Sequence, residues 1–141
     1  MLAARECREV DSFPVMKRWF WVLDASVIIS FAFIGSDFHG FRFDVLSILG
    51  VATPFLIALS GGILALRAWR KPLSIVNGIG LASISLVGGM LLRHYLWNEG
   101  TATTFILVTG AYFVSVMVGW RLIAHAGGWI VARSRSVNAA I

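Results

Sequence analysis

Four apolar runs, each long enough to cross a lipid bilayer, constrain this chain more than any other feature. Crossing the hydrocarbon core takes about 20 mostly apolar residues. Val45–Leu66, Leu73–Leu92 and Thr101–Trp120 meet that without one charged residue, and Trp19–Ser36 meets it with a single acid, Asp24. Backbone N–H and C=O groups inside hydrocarbon must be paired within their own segment or in a closed barrel. The runs show no alternation of apolar and polar residues, so they are predicted to be helices. The segments between them, "DFHGFRFD", "RAWRKP" and "RHYLWNEG", are short enough to join antiparallel neighbours. The expected fold is therefore all-α, an antiparallel four-helix transmembrane bundle. A soluble core is the poorer explanation, because only 13% of the 141 residues are charged, against about a quarter in ordinary soluble domains.

The expected organisation is a tail over residues 1–18, a membrane domain over 19–124 and a second tail over 125–141. The spans fall at about 19–36, 45–66, 73–92 and 101–123. The first run is expected to be a retained anchor rather than a cleaved signal. The segment before it is mixed in sign (Arg5, Glu6, Arg8, Glu9, Asp11), and nothing like A-x-A follows it. The single cysteine, Cys7, excludes an internal disulfide and any C-x-x-C metal or redox motif.

Lys and Arg residues divide unevenly between the two sides. Arg5, Arg8, Lys17, Arg18, Arg67, Arg70, Lys71, Arg121, Arg133 and Arg135 fall on one side, and Arg42 and Arg93 on the other. The positive-inside rule then places both termini in the cytoplasm, with the spans expected in the plasma membrane. Trp19, Trp69 and Trp120 cluster near that same interface, as an aromatic belt does. Basic residues there are expected to meet anionic lipid. They make no continuous stripe of the kind nucleic acid requires, so no nucleic-acid partner is expected.

Lipid tails are as apolar as leucine, so close packing between spans falls to small residues. The candidates are Gly50, Thr53, Ser60 and Gly61 in the second span, and Asn77, Gly78, Ala82, Ser85 and Gly89 in the third. Thr104, Ser115 and Gly119 serve in the fourth. Pro54 lacks an N–H and should kink the second span, with Thr53 or a neighbouring helix satisfying the freed carbonyl.

Asp24 is the residue that most needs explaining. An acid at the centre of a spanning helix costs about 2.5–3.5 kcal/mol, and the surrounding Leu, Ile, Val and Phe residues outweigh that. Its helical neighbours Phe20, Val27, Ile28 and Phe31 are all apolar, so no water-filled lumen faces it and a single partner inside the bundle is expected. Arg121, at the same depth near the end of the fourth span, is the leading candidate, with Arg67 as runner-up. The pair fixes helix register in one reading and acts as a relay in the other.

Several phrases in order, "LDASVIISFAFIG" followed by His39, "TPFL", "RAWRKP", "GMLLR", "TFILVTGAYF" and "GWR", carry a resemblance over about residues 20–123. Together they resemble a family of short, four-span prokaryotic membrane proteins, domain of unknown function three thousand and fifty-four. The resemblance implies an integral membrane protein of undetermined activity. The family pattern has basic residues between the Gly and the His of the first outer loop. Here Ser36 and Asp37 stand in that stretch, so an anion-holding role is not carried over.

The outer loops hold Asp37, His39, Arg42 and Asp44 facing Arg93, His94 and Glu99. Their spacing matches neither H-x-x-x-H nor HExxH, and they read as wet loop residues with Arg93 reaching the headgroups. No catalytic residue, metal or cofactor is expected. The expected function is that of a non-enzymatic accessory or assembly subunit, with a possible homo-oligomer or larger membrane-protein partner. The alternative is a small homo-oligomeric transporter or channel using Asp24, and the third reading is a membrane enzyme or a haem or metal protein.

Overall fold

The computed structural model describes residues 14–38, 44–98 and 102–138. They form four helices in chain order: α1 (Pro14–Phe38), α2 (Val45–Leu66), α3 (Ile75–Tyr95) and α4 (Thr103–Asn138). Each contains a stretch long and apolar enough to cross a membrane. The chain is an antiparallel four-helix bundle in which α1 packs on α2 and α4, and α3 packs on α2 and α4.

Local chemistry explains the helix ends. Pro14 opens α1, where its missing N–H is no loss and its fixed φ suits the first turn. Asp44 caps α2, accepting from the Leu46 and Ser47 backbone N–H groups and, at 2.7 Å, from the Ser47 hydroxyl. The Ser47 hydroxyl, aided by those two N–H groups, holds the Asp44 carboxyl below the usual aspartate range. Arg67 ends α2 in the left-handed conformation, at φ 47°, with its N–H turned back to the Ile63 and Leu64 carbonyls. A single 3-10 turn, Ala68–Arg70, then leads through Pro72 to Ser74, whose hydroxyl caps α3. This lead-in is why α3 begins at Ile75 rather than at Leu73. At its far end α4 remains helical to Asn138, so most of the segment expected as the second tail, 125–141, continues that helix.

The centre of the bundle is aromatic. Phe31 of α1 meets Phe105 and Phe113 of α4 with ring centroids 5.8 and 5.6 Å apart. Phe55 of α2 meets Phe113 edge-on at 5.5 Å. Such edge-to-face contacts contribute about 0.5–1.5 kcal/mol each beyond area burial. Outward, Leu46, Val76 and Leu107 lie at 77%, 77% and 67% exposure. In water such a surface is a liability; in hydrocarbon it is the solvated face.

Small residues do bring α2 and α3 together, on a face only half anticipated. The α3 stripe of Gly78, Ala82, Ser85 and Gly89 is buried as expected from its spacing. A Cβ at Gly89 would overlap the Phe55 ring, and one at Gly88 would lie 2.9 Å from the Ala58 Cβ. On α2, however, Gly50 and Gly61 face open space and Ser60 is exposed, its hydroxyl bonded to the Leu56 carbonyl. Ala52, Phe55, Ala58, Leu59 and Gly62 form the packed face instead. The α4 expectation is also corrected. Thr104 and Ser115 are exposed and Gly119 has nothing within 4 Å of its added Cβ, while Thr109, Phe113, Met117, Arg121 and Ala124 point inward. Small size alone does not say which way a side chain points when both faces of a helix are apolar.

α2 continues as a helix through Pro54, which is itself buried. The Thr53 hydroxyl donates to the Leu49 carbonyl at 2.6 Å. That is one residue short of Gly50, the carbonyl that lost its partner to the proline, so the compensation expected from Thr53 goes elsewhere.

Candidate functional site

Asp24 lies on the inward face of α1 with Phe20, Val27, Ile28 and Phe31, all buried. The structure brings it to Arg121 of α4. The guanidinium grips both carboxylate oxygens, Nη1 to Oδ1 at 2.8 Å and Nη2 to Oδ2 at 2.7 Å, and both residues are 0% exposed. This two-pronged geometry matches a planar fork to a planar acid and gives strong, oriented charge-assisted bonds. The Trp120 indole N–H donates to Oδ1 at 2.9 Å, so three donors from two consecutive residues of α4 fix one carboxylate of α1.

The rest of the guanidinium is also engaged. Nη1 donates to the Met117 carbonyl one turn back at 2.7 Å, Nε donates to the Pro72 carbonyl at 3.1 Å, and the group lies 4.3 Å from the Trp120 ring centroid. Desolvating two ions costs several kcal/mol each, and extra hydrogen bonds of this kind are what make such a burial tolerable. Space for the side chain comes from α3. A Cβ on Gly78 would sit 2.8 Å from the Arg121 Cδ and 3.2 Å from its Nε. Gly78, singled out for helix packing, thus accommodates the arginine rather than another helix backbone.

The lead-in to α3 is held by the same cluster. Lys71, Pro72 and Leu73 precede the helix, so their carbonyls lie outside the regular helical ladder. Each is met by a side chain: Asn77 Nδ2 donates to Lys71 at 2.9 Å, Arg121 Nε to Pro72, and His125 Nε2 lies 2.9 Å from the Leu73 carbonyl. One charged centre therefore ties α1, α4 and the α2–α3 connection together. Trp120, Pro72 and His125 were missed by sequence reasoning. Trp120 read as a belt residue, and a backbone carbonyl carries no sequence signal. His125, four residues after Arg121 on the same helix face, was the one legible hint.

The other candidates fall away from this centre. Arg67 is exposed and serves as the left-handed cap of α2. Arg93 is half-buried and packs 4.9 Å from the Phe105 ring centroid. His94 is exposed, with its ring 5.0 Å from Tyr95. His39, Arg42 and Glu99 lie outside the described residues, and Asp37 is described only as part of α1. Among the described residues no three His, Cys, Asp or Glu side chains gather as a metal would require.

Four membrane-length apolar helices packed around a sealed ion pair define a multi-pass integral membrane protein. More particularly, the chain belongs to the family described as "Protein of unknown function (DUF3054)", which matches residues 21–124. Asp24, Gly78 and Arg121 all lie inside that match, and His125 falls just outside it. No curated protein and no solved structure matches the chain.

Proposed function

We propose that the protein is a non-enzymatic accessory or assembly subunit of a prokaryotic plasma membrane, with both termini in the cytoplasm. The saturation of Asp24 carries this reading. A relay must exchange its proton or ion with water, whereas this carboxylate is sealed among apolar side chains and taken by three donors. Such a centre suits a device that sets the register of the first and last spans. The uneven placing of Lys and Arg supports the orientation, and the exposed Arg70 and Lys71 beside Trp69 suit contact with anionic lipid.

A pull-down from native membranes in mild detergent tests the role, and a stoichiometric protein partner is the expected result. A substrate-dependent flux in proteoliposomes that Asp24→Asn abolishes, with stability unchanged, would overturn it in favour of a homo-oligomeric transporter. For the orientation, Cys7 should be shielded from impermeant thiol reagents in intact cells. A cysteine replacing His39 or Glu99 should label, and the reverse pattern would invert the topology.

A further inference from the structure

α4 is far longer than the bundle it belongs to. Its 36 residues span about 54 Å, whereas the 22 residues of α2 span about 33 Å. The contact between His125 and the Leu73 carbonyl marks where α4 passes the α2–α3 connection. Beyond it the helix runs on for about 20 Å. Trp129 stands one turn past His125, about 6 Å further out, and Arg133 one turn past that. The depth of Trp129 corresponds to the headgroup layer, which extends roughly 5–7 Å beyond each side of the hydrocarbon, and Arg133 stands at the outer surface of that layer.

We infer that this overhang, Trp129 to Arg135, is an arm that binds the anionic headgroup surface of the surrounding bilayer. Trp129 and Ile130 are 62% and 60% exposed, and the Arg133 guanidinium lies 5.3 Å from the Trp129 ring centroid. An indole with a flat cation beside it suits the boundary where apolar and charged groups meet. The same end of the molecule also presents exposed Trp19, and exposed Trp69 followed by exposed Arg70 and Lys71. Three elements thus each place an exposed indole at this end of the molecule, and two of them add exposed basic groups. Among the described residues the acid at this end is Asp24, which is buried in its ion pair. Among the described residues the exposed charge at this end is therefore positive, where a phosphate-bearing surface would lie. The inference rests on the proposed orientation only for which leaflet is met, and symmetric membranes remove that dependence.

The full chain, purified in mild detergent, is titrated with short-chain phosphatidylglycerol or phosphatidylcholine and bound lipid is read by native mass spectrometry. Phosphatidylglycerol should bind in preference. Two basic residues near a charged surface are together worth roughly thirty-fold in affinity at low ionic strength, so the R133Q/R135Q variant should lose about that much. Equal binding of the two lipids overturns the inference. So does an unchanged affinity in the variant, or tighter binding of a polyglutamate competitor than of either lipid. Depth supplies an independent measurement should that variant fold poorly. A nitroxide on Ile130→Cys, in a Cys7→Ser background and in phosphatidylglycerol nanodiscs, should show interfacial accessibility to oxygen and to a nickel chelate. Fully aqueous accessibility at that position would overturn the arm.

Discussion

Asp24→Asn, Arg121→Gln and their combination form the most informative perturbation of this molecule. Removing one member of a buried pair leaves the other charge stranded, at about 3–5 kcal/mol. The structure places the two single changes at different points in that range. After Asp24→Asn the guanidinium keeps the Met117 and Pro72 carbonyls and the Trp120 ring, so a loss of about 3 kcal/mol is expected. After Arg121→Gln the carboxylate keeps only the Trp120 N–H of its three donors, and the Pro72 carbonyl loses its partner. That change should cost about 5 kcal/mol. In the double variant neither charge is stranded, and its cost should fall about 2–3 kcal/mol short of the sum. Arg121→Lys keeps the charge, but a compact ammonium cannot hold both carboxylate oxygens and Pro72 together. It should fall between wild type and Arg121→Gln. Unfolding in mixed micelles with rising dodecyl sulfate, followed by circular dichroism, reads each value. Strict additivity would refute the coupling, and an Asp24→Asn variant as stable as wild type would refute the burial argument itself.

Two further predictions follow from local geometry. Gly78→Ala drives a methyl against the Arg121 Cδ and should destabilise the bundle by about 1–3 kcal/mol. Gly119→Ala meets nothing within 4 Å and should be neutral or slightly stabilising in the same unfolding assay; the opposite ranking would reject the packing described for α3 and α4. Asp44 has its carboxyl held below the ordinary range by Ser47, so its capping contribution is fully present above about pH 4 and is lost as pH falls through its lower folded value. Acid titration should therefore narrow the stability gap between wild type and Asp44→Ala in that window, and a gap independent of pH there would remove the cap from the account.

Span number, helical class and the depth of each charge follow from composition along the chain, because hydrocarbon leaves the backbone few choices. Depth alone brought Arg121 forward as the partner of Asp24: an acid about a turn and a half inside the first span, Trp19–Ser36, can reach only what lies at that level on another helix. Direction around each helix is a different matter. In a soluble helix the polar face identifies itself, but here lipid and core are equally apolar, and a glycine looks the same on either side. The α3 stripe was legible because Gly78, Ala82, Ser85 and Gly89 recur at helical spacing, whereas Gly50 and Gly61 on α2 and Ser115 and Gly119 on α4 misled. Which glycine meets a neighbour depends on where Phe55 and Arg121 point, and that is decided only when four helices close around one another. Likewise the Pro72 and Leu73 carbonyls became ligands of Arg121 and His125 only through tertiary packing, since every residue carries a carbonyl and the sequence cannot mark one as special.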